Sequence, residues 1–163
     1  MSLQIRPATS EDLYAVVGLL QSRKLPVAGF ADLLRAQPEH VRIAELNGLV
    51  VGSAALDVRD GNGLLRSVAV AHDLASLGVG TRLVNDLIAQ ARQADLTALY
   101  LLTTTAAAWF PKFGFTVTDR SAVPAALANT IEFTSACPAS ATVMRCSLAA
   151  PVTDGAALPD IQP

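Results

Sequence analysis

The spacing of apolar residues in the N-terminal part of the chain predicts one strand followed by two helices. Residues 3–6 have the alternation of a short strand. Hydroxyl and acidic residues at 9–12 are typical of a helix N-terminus, and apolar residues then recur at helical spacing until Pro26, where the helix is expected to end. A second, shorter helix is predicted over residues 30–36, ahead of Pro38.

Three segments with strand spacing come next, separated by short turns. They cover residues 41–46, 49–58 and 64–70. The first two are joined by Asn47-Gly48, which is typical of a two-residue hairpin because both residues tolerate positive φ. The turn residues 60–63 separate the second from the third. This order predicts an antiparallel meander.

The strand spacing is then lost and a longer helix is predicted. Residues 71–77 show no alternation, Gly78 and Gly80 follow, and residues 81–94 place their apolar side chains on one face of a helix. The remaining predicted elements are a strand at 96–102, a helix at 106–113 ended by Gly114, a strand at 115–118, a short helix at 124–129 and a strand at 141–148.

Composition favours one folded domain. We expect a mixed α/β domain over residues 1–148 and a disordered C-terminal tail over residues 149–163. Apolar residues make up 52% of the 163 residues and charged residues 16%, which excludes global disorder. The net charge of −2 argues against nucleic acid, because phosphate binding needs a basic face and none is evident in the sequence. Neither a signal peptide nor an apolar run of the roughly 18 residues that a membrane helix needs is found, so we expect a cytoplasmic protein.

The glycines before the third predicted helix indicate an anion site. Residues 68–70 form a buried strand end, and the helix that begins near Thr81 follows Gly78 and Gly80. Glycine lets the backbone approach a ligand closely, and the first N–H groups of a helix have no internal partners. A pyrophosphate is the natural ligand of such a turn. A tight strand–helix turn without a ligand explains the same glycines.

Two motifs, together with the order of the elements, resemble the N-acetyltransferase (GNAT) superfamily over residues 3–148. The pyrophosphate loop of that family is Gln/Arg-x-x-Gly-x-Gly/Ala; here Gly78 and Gly80 match, whereas Ala75 replaces the Gln or Arg. A later motif, an aromatic residue followed by three residues and Gly-Phe, is matched by the segment that begins at Phe110. The resemblance implies the GNAT fold, a mostly antiparallel twisted sheet of six to seven strands flanked by about four helices.

The same resemblance implies acetyl-CoA as co-substrate and no metal. In the family the strand equivalent to residues 64–70 splays from its neighbour and binds the cofactor through its main chain. The residues expected at the cofactor are Val68, Ala69, Val70, Ser76, Leu77, Gly78, Val79, Gly80, Thr81, Thr103, Ala106 and Phe110.

A narrower resemblance concerns the acceptor. The segments LLTTTAAAWFPKFGF, SAVPAALANTIEF and CPASA are similar to acetyltransferases encoded beside arsenic-resistance genes, and the first also resembles the acetyltransferase domain of N-acetylglutamate synthases. This implies transfer of an acetyl group to the primary amine of a small molecule, either an amino acid or an arsenic-containing analogue. The family alternatives of a non-catalytic acetyl-CoA sensor and a protein-lysine acetyltransferase stay open, as does a homodimer.

The usual catalytic residues of the family are missing. A tyrosine that protonates the departing thiolate is replaced by Phe110, which we expect to serve packing. A glutamate near the start of the splayed strand is also absent. The carboxylates considered as general base are Asp57 and Glu132, and either could instead be a solvated or structural acid. We expect Tyr100 to belong to the core.

Arg66 is the candidate for binding the acceptor. It interrupts an apolar strand, and strand alternation predicts that it shares a face with Val68. Its guanidinium suits a substrate carboxylate in bidentate fashion, and a salt bridge to a neighbouring strand is the alternative. Cys137 and Cys146 are expected to be ordinary free thiols.

Overall fold

The structure, a computed structural model, describes residues 2–148, so the expected tail at 149–163 lies outside the described residues. The strands are β1 (Leu3–Pro7), β2 (Val41–Leu46), β3 (Leu49–Arg59), β4 (Asn62–Val70), β5 (Ala98–Thr103), β6 (Thr116–Val117) and β7 (Thr142–Ser147). The helices are α1 (Leu13–Ser22), α2 (Phe30–Ala36), α3 (Val79–Gln93) and α4 (Ala125–Ala128). All seven strands form one sheet in the order β1-β2-β3-β4-β5-β7-β6, antiparallel except for β4 and β5, which confirms the expected fold class.

Two tight turns build the meander of β2, β3 and β4. Asn47 and Gly48 have φ values of 53° and 80°, and Asp60 and Gly61 have 54° and 79°. Positive φ at both central residues matches the right-handed twist of the flanking strands. The turns therefore fix the register that places β4 in the middle of the sheet.

The two faces of the sheet are covered by different helices. Leu83 and Leu87 of α3 pack against one face, in a cluster with Leu56 and Leu65. The opposite face is covered by α1 and α2, whose buried side chains form a second cluster with β2 and β3. Neighbouring positions of β4 thus face different layers of the molecule.

The parallel strands β4 and β5 separate after three residue pairs. Asn62 pairs with Ala98 and Leu64 with Tyr100, after which each strand runs on without pairing with the other. β5 instead continues its antiparallel pairing with β7 as far as Thr103. The splay implied by the family resemblance is confirmed, and it opens a gap in the centre of the sheet.

The helix predicted over residues 106–113 is wrong. Residues 107–109 form a turn, and only Phe110–Phe113 make one short 3₁₀ turn. Pro111 explains the difference, because proline has no N–H to donate and its ring clashes with the carbonyl four residues earlier in an α-helix. The other predicted elements are present, with bounds shifted by a few residues.

Candidate active site

The gap between β4 and β5 forms a cavity of about 460 Å³, lined by residues at the end of α1, such as Arg23, and by the first turn of α3. Most residues expected at the cofactor line it, namely Val68, Ala69, Val70, Ser76, Gly78, Gly80, Thr81, Thr103, Ala106 and Phe110. The other two do not line the cavity. Leu77 is 67% exposed, and Val79, the first residue of α3, has its side chain buried in the core. The splay therefore brings the glycine turn and the aromatic motif to one space.

The N-terminus of α3 presents free donors to this cavity. Gly78 precedes the helix with a φ of 78°, a left-handed conformation that glycine adopts without strain. The N–H of Arg82 donates to the carbonyl of Gly78. The N–H groups of Val79, Gly80 and Thr81 precede that first helical bond and have no acceptor within the helix. They point outward at the positive end of the helix dipole, where an anion is stabilised.

Lys112 and Trp109 complete this end of the cavity, and the sequence did not single out either residue. The Nζ atom of Lys112 lies 3.0 Å from Oγ1 of Thr81 and 4.5 Å above the Trp109 ring. A side chain at Gly80 would meet that ring at 3.4 Å. Lys112 thus supplies a cation at the first turn of α3, where Ala75 provides none.

Phe110 and Tyr100 occupy packing positions. Phe110 is 7% exposed and makes edge contacts with Trp109 and Phe115, at ring-centre distances of 4.9 Å and 5.8 Å. The hydroxyl of Tyr100 accepts a hydrogen bond from Nε of Arg145 at 3.1 Å, and Tyr100 does not line the cavity. The expected core role of Tyr100 is confirmed.

Three polar side chains lie together at the other end of the cavity: Arg66, Glu132 and Cys137. Nε of Arg66 is 3.6 Å from Oε1 of Glu132, and Sγ of Cys137 donates to Oε2 at 3.5 Å. Arg66 also donates to Oγ of Ser67 and to the carbonyl of Ala28. The ion pair therefore joins β4 to a π-helical turn, Glu132–Ala136, that the sequence analysis did not predict.

Burial shapes the protonation of this cluster. It raises the pKa of Glu132, and the nearby Asp57 acts in the same direction, whereas Arg66 and the thiol of Cys137 oppose the rise. Burial and the Glu132 carboxylate raise the pKa of Cys137 to about 12. Desolvation penalises a charged form that has left water. Glu132 is thus a stronger base than an exposed glutamate.

The structure separates the two carboxylates considered as general base. Asp57 is buried, but both its oxygens accept hydrogen bonds from Arg59, at 2.8 Å and 3.2 Å. It lines a second cavity of about 320 Å³, not the one between β4 and β5. Glu132 alone of the two faces the main cavity.

The expectation that Arg66 and Val68 share a face of β4 is wrong. Ser67 has a φ of 59°, and the β3–β4 register shifts there, so that Ala55 pairs with Arg66 and Ser53 with Ala69. A bulge adds one residue to a strand and reverses the alternation beyond it. Arg66 consequently faces the α1 and α2 layer, and its ionic partner is not on a neighbouring strand.

The histidines and cysteines within residues 2–148 are not clustered with other possible metal ligands. No group of three potential ligand side chains occurs there. His72 contacts Arg23, and His40 lies beside Glu39. Cys137 and Cys146 are both free thiols, as expected. Within the same residues, no helix has the length and apolar character needed to cross a membrane.

Comparison with known proteins identifies the family. Residues 7–115 match the model of the Acetyltransferase (GNAT) family, and the chain belongs to this family. Amino-acid acetyltransferase from Ectopseudomonas mendocina is 33% identical over 130 residues, which are 77% of this chain and 30% of that protein. The protein of the same name from Salmonella arizonae is 32% identical over 74% of this chain and 28% of its own length.

Solved structures agree on the fold. N-acetylglutamate synthase from Neisseria gonorrhoeae, complexed with coenzyme A and N-acetyl-glutamate, has a TM-score of 0.78 at 22% identity, over 92% of this chain and 36% of that chain. A Mycobacterium tuberculosis protein in complex with CoA has a TM-score of 0.74 at 25% identity, over 88% of this chain and 98% of that chain. The chain spans about 30% of the length of the curated relatives it matches.

Proposed function

We propose that this acetyltransferase transfers an acetyl group from acetyl-CoA to the amino group of a small amino acid. The observation that carries the proposal is that one cavity is lined both by the N-terminus of α3 and by the buried pair of Arg66 and Glu132. One end suits a phosphorylated cofactor and the other suits a small zwitterion. The names of the curated relatives, amino-acid acetyltransferases, support the same class of acceptor.

The residues at the α3 end fit the cofactor. The N–H groups of Val79, Gly80 and Thr81 would hold the pyrophosphate, and Lys112 would add a positive charge beside them. The unpaired edge of β4 over residues 68–70 would bind the pantetheine through its backbone. Acetyl-CoA supplies the activated acetyl group. A backbone N–H aimed at the thioester oxygen would stabilise the charge that develops there, an effect worth about 3 kcal/mol.

Glu132 is the residue proposed to take the proton from the acceptor amine. An amino acid arrives largely as an ammonium ion at neutral pH and must lose a proton before its nitrogen can attack. A buried carboxylate with a raised pKa is better matched to that proton than an exposed one. Since the reaction also gains from preorganisation, Glu132 needs to supply only part of the rate.

The acceptor carboxylate is proposed to bind at Arg66, with Arg23 as a second cation in the same cavity. Arginine presents a planar fork of donors that matches two carboxylate oxygens. Arg23 forms no salt bridge among residues 2–148 and contacts the imidazole of His72. Two arginines that line the same cavity as a buried glutamate favour an acceptor that carries a negative charge as well as an amine.

No tyrosine is among the described residues that line this cavity, so none is placed to protonate the departing thiolate. Phe110 lacks a hydroxyl, and a thiol pKa near 8.5 lets the thiolate leave without a protein acid. The same absence favours a second candidate function, a sensor that binds acetyl-CoA without turnover. The arsenic-containing acceptor stays a prediction of the sequence resemblance.

Release of coenzyme A in the presence of single amino acids tests the proposal. We expect release with at least one free amino acid and much less with its α-amide, which lacks the carboxylate. A lysine-containing peptide tests the protein-lysine alternative in parallel. Stabilisation by acetyl-CoA in a melting experiment, without release of coenzyme A for any acceptor, would favour the sensor.

A further inference from the structure

Cys137 contacts Glu132 twice. The backbone N–H of Cys137 donates to the carbonyl of Glu132 at 3.1 Å, and its Sγ donates to Oε2 of the side chain at 3.5 Å. The first bond closes the π-helical turn Glu132–Ala136, and the second fixes the carboxylate that this turn carries. Turns of this type are frequent at functional sites.

The two oxygens of Glu132 have different partners. Oε1 faces Nε of Arg66, which comes from β4, and Oε2 faces the Cys137 thiol. A carboxylate held through both oxygens cannot rotate freely, so its remaining lone pairs point in fixed directions. Because Arg66, Glu132 and Cys137 all line the cavity, those directions matter for a ligand inside it.

We propose that Cys137 is a positioning residue, whose thiol donates to Oε2 and thereby holds Glu132 in the orientation in which it accepts the proton of the acceptor amine. The inference rests on the proposed function of Glu132 as the base. It involves no covalent change at sulfur: the amine loses its proton to Glu132, and the S–H bond stays intact throughout.

The charges around the pair agree with a donor thiol. Glu132 is faced by Arg66 from β4 and by Asp57 from β3, and Arg120 lies near the thiol. A thiol whose pKa is raised to about 12 stays protonated at neutral pH. Cys137 is therefore a poor nucleophile, since only the thiolate attacks a thioester.

The test compares Cys137→Ala and Cys137→Ser with Cys146→Ala as the matched control. Cys146 is buried behind Phe113 and does not line the cavity. Each full-length variant is assayed for kcat/KM against pH with the best amino acid acceptor. We expect Cys137→Ala to raise the apparent pKa of the base by about one unit and to lower kcat/KM about tenfold below that pKa, because a hydrogen bond to a charged acceptor is lost.

Cys137→Ser should restore the wild-type profile, because a hydroxyl donates in the same place. Cys146→Ala should leave the pH profile unchanged. A wild-type pH profile in Cys137→Ala would overturn the inference. A second result would also overturn it: an equal loss of kcat/KM in Cys137→Ala and Cys137→Ser, together with acetylated Cys137 found in wild-type protein by mass spectrometry. That result would make the thiol a nucleophile.

Glu132→Gln separates this inference from the proposed function. If Glu132→Gln keeps wild-type turnover, Glu132 is not the base, and both proposals about it fall. If Glu132→Gln loses turnover and Cys137→Ala does not shift the profile, the base stands and only the positioning role of Cys137 is overturned.

Discussion

The Nε atom of Arg66 and the Oε1 atom of Glu132 lie 3.6 Å apart, with both side chains almost fully buried. They come from β4 and from the π-helical turn before β7, so tertiary structure alone brings them together. Their pairing compensates charge inside the cavity, and removing one partner would leave the other buried and uncompensated.

The first prediction concerns Arg66 and the acceptor carboxylate. Arg66→Lys keeps the charge but not the planar fork, so it should raise KM for an amino acid steeply and KM for acetyl-CoA little. The same variant should affect an α-amide acceptor much less. Steady-state kinetics with each substrate varied, beside a melting curve, measures this. Equal effects on the amino acid, its amide and acetyl-CoA, with a large drop in melting temperature, would assign Arg66 a purely structural role.

The second prediction concerns the cofactor end. Gly80→Asp places a negative charge beside the free N–H groups of α3 and a side chain against Trp109. We expect acetyl-CoA affinity, measured by calorimetry, to fall by at least about 30-fold. This corresponds to a binding free energy weakened by about 2 kcal/mol through charge repulsion and misfit. Gly18→Asp is the matched control, because Gly18 is exposed on α1 with open space around it. Retained affinity in folded Gly80→Asp would show that the phosphates bind elsewhere.

Lys112 gives a third prediction. Its Nζ sits at the first turn of α3, and its loss should weaken acetyl-CoA binding while leaving KM for the acceptor unchanged. Arg92→Ala removes the same charge at the exposed C-terminal end of α3 and controls for net charge. A fall in affinity of about tenfold in Lys112→Ala at low salt, reduced at high salt, is expected for a phosphate contact. Identical affinities in the two variants would contradict it.

The fourth prediction concerns Phe110. Since this side chain packs against Trp109 and Phe115, Phe110→Leu should lower the free energy of unfolding by about 1–3 kcal/mol and keep most of kcat. Denaturant unfolding and kcat, measured on the same preparation, check both parts. A well-folded variant with kcat reduced by several orders of magnitude would mean that Phe110 contributes to the chemistry beyond packing.

Elements with strong local signals were predictable from the sequence. Turn chemistry predicted the turns at Asn47-Gly48 and Asp60-Gly61, and apolar spacing predicted the helix that has Leu83 and Leu87 on one face. Both signals act locally. The predicted helix at 106–113 failed because Pro111 lies within it and prevents an α-helix there. The prediction did not take Pro111 into account, although Pro111 determines the local structure of this segment.

The site was predictable only in part. Gly78 and Gly80 indicate the anion-binding end of the cavity, but no sequence pattern predicts that Glu132 lies beside Arg66. The bulge at Ser67 places Arg66 and Val68 on opposite faces of β4, so strand alternation alone gives the wrong surroundings for Arg66. A bulge has no reliable sequence signal when the residue in the left-handed conformation is not glycine. Lys112 could have been noticed as the cation within Phe-Pro-Lys-Phe-Gly-Phe.

Acetyl-CoA and a free amino acid are proposed to bind in one cavity, where Glu132 takes the proton of the amine. The most direct measurement is coenzyme A release with wild-type protein and Glu132→Gln, at saturating acetyl-CoA and across a panel of free amino acids. We expect the wild-type protein to release coenzyme A with at least one amino acid. We expect kcat for Glu132→Gln to be lower by about 10²- to 10⁴-fold, the usual contribution of a general base. Tight acetyl-CoA binding without release for any amino acid, or equal kcat in both proteins, would contradict it.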